Sequence, residues 1–188
     1  MRKLLLTTAA VAAAIGLAGC WNSDPDTLTD KRDGQKYQTV MIGGKRWIIE
    51  NLNYQTDSSW CYNDDTSYCK KYGRLYAWNA ANKACPARYH LPSRKEWNCL
   101  VATAYDEDVV GKTLKYDFRF LVLPGGYRSS GGNFNYVGDS GYWWTATVEF
   151  VEFAHYRNMN YEYHDDYARG NAYPKNNGLS VRCVADNP

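Results

Sequence analysis

The sequence predicts an α+β fold, and three observations carry it. Two β-rich runs flank the Gly43-Gly44 pair, and two helical periodicities lie between residues 75 and 104. After these, short β-rich runs alternate with glycine turns to the end of the chain. Helices grouped early and strands grouped late indicate segregated layers, not an alternating parallel βαβ sheet.

The chain opens MRKLLLTTAAVAAAIGLAGC. Arg2 and Lys3 precede an uncharged apolar run, Leu4 to Leu17, which is shorter than the about 20 residues a spanning helix needs. The segment 1–19 therefore reads as an export signal. Its end, Leu17-Ala18-Gly19-Cys20, resembles the bacterial lipobox, in which small residues admit the peptidase and the cysteine thiol accepts lipid. Several acyl chains on Cys20 would anchor the mature protein where one chain would be marginal. Without Arg2 and Lys3, the 22 basic residues fall to match the 20 acidic ones. Charge thus offers no reason to expect a nucleic-acid partner. Residues 20–33, polar and poor in apolar side chains, are expected to form a flexible tether, with one globular domain over 34–188.

Within the domain, 37–42 and 46–52 form a hairpin around Gly43-Gly44. Residues 53–74, rich in Asn, Asp, Ser and Tyr, are expected to be a loop. Leu75 to Ala84 is Ala-rich, with Leu75 and Trp78 at helical spacing, and Pro86 ends it. Ser93 followed by Glu96 is a capping box, which starts a second helix over 94–104 with Trp97, Leu100, Val101 and Ala104 buried. Strands are then expected near 119–123, 126–129, 133–137, 142–148, 152–160 and 179–184. In Tyr142-Trp143-Trp144 the strand period turns Trp143 away from its two neighbours.

Cysteine use fits an oxidising compartment. Beyond Cys20 stand Cys61, Cys69, Cys85, Cys99 and Cys183, an odd number whose spacing alone permits many pairings. Cys61 and Cys69 flank a short polar loop that would close as a clip. Cys99 falls in the second predicted helix and is the candidate for a buried free thiol. Zinc is not expected, because there is no CxxC and His90, His155 and His164 are scattered. No cofactor is expected in general. Calcium is the exception that the hard oxygens of Asn63-Asp64-Asp65 and Asp165-Asp166 would suit, although such clusters also form turns.

Seven Trp and 17 Tyr against five Phe favour rings that carry a polar tip. Tyr156, Tyr161, Tyr163, Tyr167 and Tyr173 are interleaved with Arg157, Asn158, Asn160, Asp165 and Asn171. Rings stack on sugar faces while amides and carboxylates bond hydroxyls. Tyr156, Tyr161, Tyr163, Tyr167 and Asp165 are therefore the candidate ligand residues, with polysaccharide or another surface protein as the partner. The same tyrosines would equally pack a long strand-and-loop region without ligand. Glu149, Glu152, Glu162, Asp165 and Asp166 would suit a glycosidase pair only if two of them converged, and solvated strand charges account for them as well.

Several ordered blocks together resemble one family. They are Tyr37 to Trp47, Glu50 to Tyr54, Cys61 to Asp65 with Cys69, Tyr72 to Tyr76, Ala84-Cys85-Pro86, His90-Leu91-Pro92 with Glu96-Trp97, Gly125 to Arg128, Gly141 to Thr145 and Gly178 to Val184. From about 35 to 185 the chain is similar to the Fibrobacter succinogenes major paralogous domain, a lipoprotein-associated bacterial domain. Arg88-Tyr89 replaces that family's usual Gly-Trp, and Cys99 lies outside its pattern. The resemblance implies a C-type-lectin-like fold shared with formylglycine-generating, sulfatase-modifying proteins. It also implies a Cys85–Cys183 bridge, which leaves Cys61–Cys69 as the clip and Cys99 free. Those related enzymes use a late cysteine pair. Here only Cys183 follows Cys99, so the resemblance implies a non-catalytic domain. The expectation is a lipid-anchored outer-membrane surface domain that binds an extracellular partner. The alternatives are a structural envelope lipoprotein and a divergent sulfatase-modifying enzyme.

Overall fold

The computed structural model describes residues 26–103, 123–160 and 169–186. Three helices and several sheets make a mixed α/β domain, consistent with the α+β expectation. Strands β1 (Asp26–Thr29), β2 (Lys36–Ile42), β3 (Lys45–Ile48), β6 (Tyr89–His90) and β12 (Val184–Ala185) form one sheet in the order β1-β2-β3-β12-β6. A second sheet has the order β11-β10-β9-β7-β8, from β7 (Gly125–Arg128), β8 (Phe134–Val137), β9 (Ser140–Phe150), β10 (Phe153–Asn160) and β11 (Arg169–Pro174). A small ladder pairs β4 (Ser59–Trp60) with β5 (Leu75–Tyr76). The helices are α1 (Thr66–Tyr72), α2 (Trp78–Ala84) and α3 (Arg94–Thr103).

The β2–β3 hairpin forms where the sequence predicts it. Ile42 pairs with Lys45, and the two residues between, Gly43 and Gly44, have φ of 58° and 75°. Positive φ at both central positions gives a turn whose twist matches its strands. At α3 the capping box closes in both directions: the Ser93 amide donates to Glu96 Oε2 at 2.8 Å, and the Glu96 amide to Ser93 Oγ at 3.2 Å. Trp97 and Leu100 are buried beneath it, with Val101 partly buried.

Strand β9 divides two cores. Tyr142 and Trp144 join Tyr37, Ile48, Leu52, Tyr76 and Leu179 on one side. Trp143 points the other way, to Ile42, Trp47, Trp97, Leu100 and Met159. Both faces of this stretch are interior, which explains its unbroken aromatic run. The segment 178–185 ties the layers together. Ser180 donates its amide to the Tyr142 carbonyl at 2.9 Å, and Cys183 accepts from the Ile48 amide at 2.9 Å.

Four expectations are corrected. Residues 26–33 are not a loose tether: β1 pairs with β2, Leu28 packs on the first core, and Asp30 is only 1% exposed. Strand addition to a sheet edge uses backbone groups, so it leaves little trace in side-chain polarity. Within 53–74, α1 forms because Asp65 accepts from the Ser67 amide at 2.8 Å and Cys69 and Tyr72 are buried. Leu75 and Tyr76 are strand, not helix: Leu75 pairs with Trp60, and Tyr76 with Ser59 and Leu179. Cys99 is free, as expected, but exposed, because it lies about 200° around α3 from buried Trp97.

Both expected bridges are present. Cys61 and Cys69 are bonded with Cα atoms 5.0 Å apart, and Cys85 and Cys183 with Cα atoms 5.8 Å apart. Strand β11 lies outside the predicted set. Its Asn and Gly content hides it, yet it pairs with β10 from Phe153↔Pro174 to Asn158↔Arg169. Cys20 and most of the expected strand 119–123 lie outside the described residues.

Candidate functional site

Five tyrosines gather on one face of the second sheet. The register sets Tyr156 opposite Trp144, Asn158 opposite Tyr142 and Asn160 opposite Ser140 on β9. On β11, Asn171 faces Tyr156 and Tyr173 faces Ala154. Directly opposed residues share a face, so tyrosines and asparagines are brought side by side. Strand β7 runs parallel to β9 through Gly126↔Gly141 and adds Tyr127, and β8 adds Tyr136. Gly126 has φ of 66°, and a Cβ there would lie 2.3 Å from the Asn135 carbonyl oxygen. Only glycine lets β7 and β8 approach this closely.

The rings form a continuous contact network. Tyr156 and Tyr173 stack with centroids 4.2 Å apart and planes inclined by 24°. Tyr127 meets Tyr142 edge-on at 5.0 Å and stacks on Tyr136 at 6.0 Å. Tyr173 also lies 5.4 Å from Tyr127. Exposure is graded along the row. Tyr156 and Tyr142 are 6% and 8% exposed, Tyr127 and Tyr173 are half-buried, and Tyr136 is 53% exposed. The inner rings form a floor and the outer ones meet solvent.

Burial pushes the Tyr142 phenol up to about 12, with Tyr173 adding to the effect. Tyr156 is raised by burial and then by its hydrogen bond with Tyr173, and Tyr127 by burial and its neighbouring tyrosines. Tyr173 packs against both Tyr127 and Tyr156, with ring centroids 5.4 and 4.2 Å away, so the three rings form one cluster. The raised phenols of Tyr127, Tyr142 and Tyr156 are uncharged near neutral pH, and each can both donate and accept. Aromatic faces beside neutral hydroxyls and amides suit a flat polyhydroxylated ligand.

Of the candidate ligand residues, Tyr156 lies in this cluster as a buried floor, not as a contact surface. Tyr161, Tyr163, Tyr167 and Asp165 lie outside the described residues. The sequence reading did not single out Tyr127 and Tyr136, which the structure brings into this cluster. Each stands beside a glycine turn, and their only advance signal was the excess of Tyr over Phe. Glu149 pairs with His155, and Glu152 lies at the β9–β10 turn among exposed Phe150, Val151 and Phe153. Asp65 of the Asn63-Asp64-Asp65 cluster caps α1, which is a turn role.

His90 bridges two carboxylates, with Nδ1 2.7 Å from Asp186 and Nε2 3.0 Å from Glu96. Burial pushes the Glu96 carboxyl up. The Ser93 amide and hydroxyl, His90 and Lys45 outweigh that and hold it at about 2. This group joins α3 to the chain end and lies on different elements from the tyrosine face.

The profile of the Fibrobacter succinogenes major domain matches residues 27–185. No curated protein and no solved structure matches the chain. The match begins inside β1 and ends in β12, so it takes in both five-stranded sheets, both disulfides and the tyrosine face. The chain belongs to the Fibrobacter succinogenes major domain family.

Proposed function

We propose that this protein is a lipid-anchored, non-catalytic domain of the outer membrane that holds an extracellular polysaccharide on its tyrosine face. The observation that carries this reading is the graded row from buried Tyr156 and Tyr142 to exposed Tyr136, with Asn158 and Asn171 in register beside it. A rigid floor under exposed rings gives stacking area at little entropic cost. The signal and lipobox of residues 1–20 support anchoring through Cys20. The bridge from Cys85, just after α2, to Cys183, just before β12, supports a C-type-lectin-like, sulfatase-modifying-factor-like arrangement. That Cys183 is held in this bridge also favours a non-catalytic role over late-cysteine chemistry.

The test is retention on insoluble cellulose and xylan of the mature chain, residues 20–188, carrying Cys20→Ser. We expect retention that is lost with Tyr127→Ala/Tyr136→Ala while the melting transition is kept. A second reading, a structural envelope lipoprotein without small ligand, is favoured by the burial of Tyr142 and Tyr156 and predicts no retention. Anchoring is tested separately, since Cys20→Ser should move the protein from the membrane to the soluble fraction.

A further inference from the structure

We propose that the clefts around helix α1 take a carboxylate-bearing sugar, the uronic-acid class of saccharide. The proposal shares with the carbohydrate reading only the kind of ligand, and it uses a different set of residues.

Helix α1 is tied to its surroundings by a disulfide and by side-chain hydrogen bonds. Cys69 is bonded to Cys61, and the Arg74 guanidinium lies 3.6 and 3.7 Å from the two sulfurs while donating to Ser59. Asn51 Nδ2 donates to the Tyr72 carbonyl at 2.7 Å. On the helix surface Tyr68 stacks beside Tyr72 at 6.1 Å and touches Tyr62 at 5.3 Å. Tyr62 in turn packs on Phe134 of β8.

Two clefts meet at this helix. One, of about 560 Å³, lies between Asp65, Tyr68, Lys71 and Tyr72 at α1 and Val137 and Gly138 at the end of β8. The other, of about 310 Å³, shares Lys71 and Tyr72 and extends past Lys70 to Lys36 and Glu50. Both fall in the range of small-molecule sites, about 300–1,000 Å³. The Lys71 ammonium stands at their junction, 4.8 Å from the Tyr72 ring centroid.

The charge available here is positive. Lys36, Lys70 and Lys71 are exposed, and among the described residues none of the three has a carboxylate partner. Asp65 lines the first cleft and Glu50 the second, so the three ammonium groups outnumber the carboxylates that line the two clefts. Asp65 accepts from the Ser67 amide, and Glu50 accepts from the Gln38 amide at 2.7 Å. A neutral sugar would use the Tyr68 ring and leave the ammonium groups unmatched. A simple anion would use the ammonium groups and leave the ring unmatched. A uronate ring satisfies both.

The test is calorimetric titration of the Cys20→Ser mature chain with trigalacturonate, cellotriose and sodium sulfate. Trigalacturonate should bind about tenfold more tightly than cellotriose or sulfate, and should weaken about tenfold between about 50 and 500 mM sodium chloride. Lys70→Gln/Lys71→Gln, two exposed changes, should abolish the preference with the melting transition intact. Tyr127→Ala/Tyr136→Ala should leave trigalacturonate binding unchanged. If cellulose and xylan are not retained but trigalacturonate binds, the tyrosine-face reading falls and this one stands. No trigalacturonate binding, equal binding of sulfate, or indifference to Lys70→Gln/Lys71→Gln would overturn it.

Discussion

Trp143 and Asn51 meet in the interior, where the indole N–H donates to Asn51 Oδ1 at 2.8 Å. The same oxygen accepts from Arg182 Nε at 2.8 Å, and Asn51 Nδ2 donates to the Tyr72 carbonyl. One amide therefore joins β9, the C-terminal segment and α1. Asn51→Ala takes this acceptor from a buried indole donor and from the Nε of a buried guanidinium. We expect a loss of about 2–4 kcal/mol in urea unfolding of the oxidised chain. Asn51→Asp keeps the acceptor and places a charge beside Arg182, so it should cost less than Ala.

The two disulfides should differ in weight. Cys85 and Cys183 close a separation of 98 residues, whereas Cys61 and Cys69 close one of 8. On a chain-entropy model the first contributes about 4–5 kcal/mol and the second about 2–3. Paired Ala substitutions compared by urea unfolding check the order, and a larger loss from the Cys61/Cys69 pair would contradict it.

Glu96 gives the domain a dependence on acid. Its carboxyl is held at about 2 in the fold against an ordinary 4.5, so folding favours the charged form. The native state then binds fewer protons than the unfolded one, and stability rises with pH across this window. The benefit is complete above about 4.5 and is lost as pH falls toward about 2. Glu96→Gln should be less stable than the parent near neutral pH, and the gap should close through that window in pH-dependent melting.

Tyrosines at the two ends of the row should differ in what truncation costs. Tyr156→Ala empties a buried ring site stacked on Tyr173 and should cost about 3–5 kcal/mol in urea unfolding. Tyr136→Ala removes an exposed ring and should change stability by less than about 1 kcal/mol while reducing polymer retention.

What the sequence revealed follows from the kind of signal each feature leaves. The Gly43-Gly44 turn and the Ser93/Glu96 box depend on residue types that few other geometries require, and both were legible. The opposed faces of Trp143 and its neighbours followed from the strand period alone. The Cys85–Cys183 bridge came from family resemblance, since spacing left the pairings open. Strand β1 was hidden because it docks through backbone groups, and α1 because its helical pattern sits in a polar, tyrosine-rich stretch. The tyrosine face was legible only in composition. Its assembly depends on the β9–β10–β11 register, and on Tyr136 adopting φ of 60° at the end of β8, neither of which a single sequence declares.

The central claim is that the tyrosine face binds carbohydrate, and amide chemical-shift mapping tests it most directly. Titration of the isotopically labelled Cys20→Ser mature chain with xylo- and cello-oligosaccharides should move the amides of Tyr127, Tyr136, Asn158, Asn171 and Tyr173 together, saturably. Tyr127→Ala/Tyr136→Ala should abolish those shifts. Shifts absent from this face at ligand saturation of the solution, or confined to other surfaces, would contradict the claim.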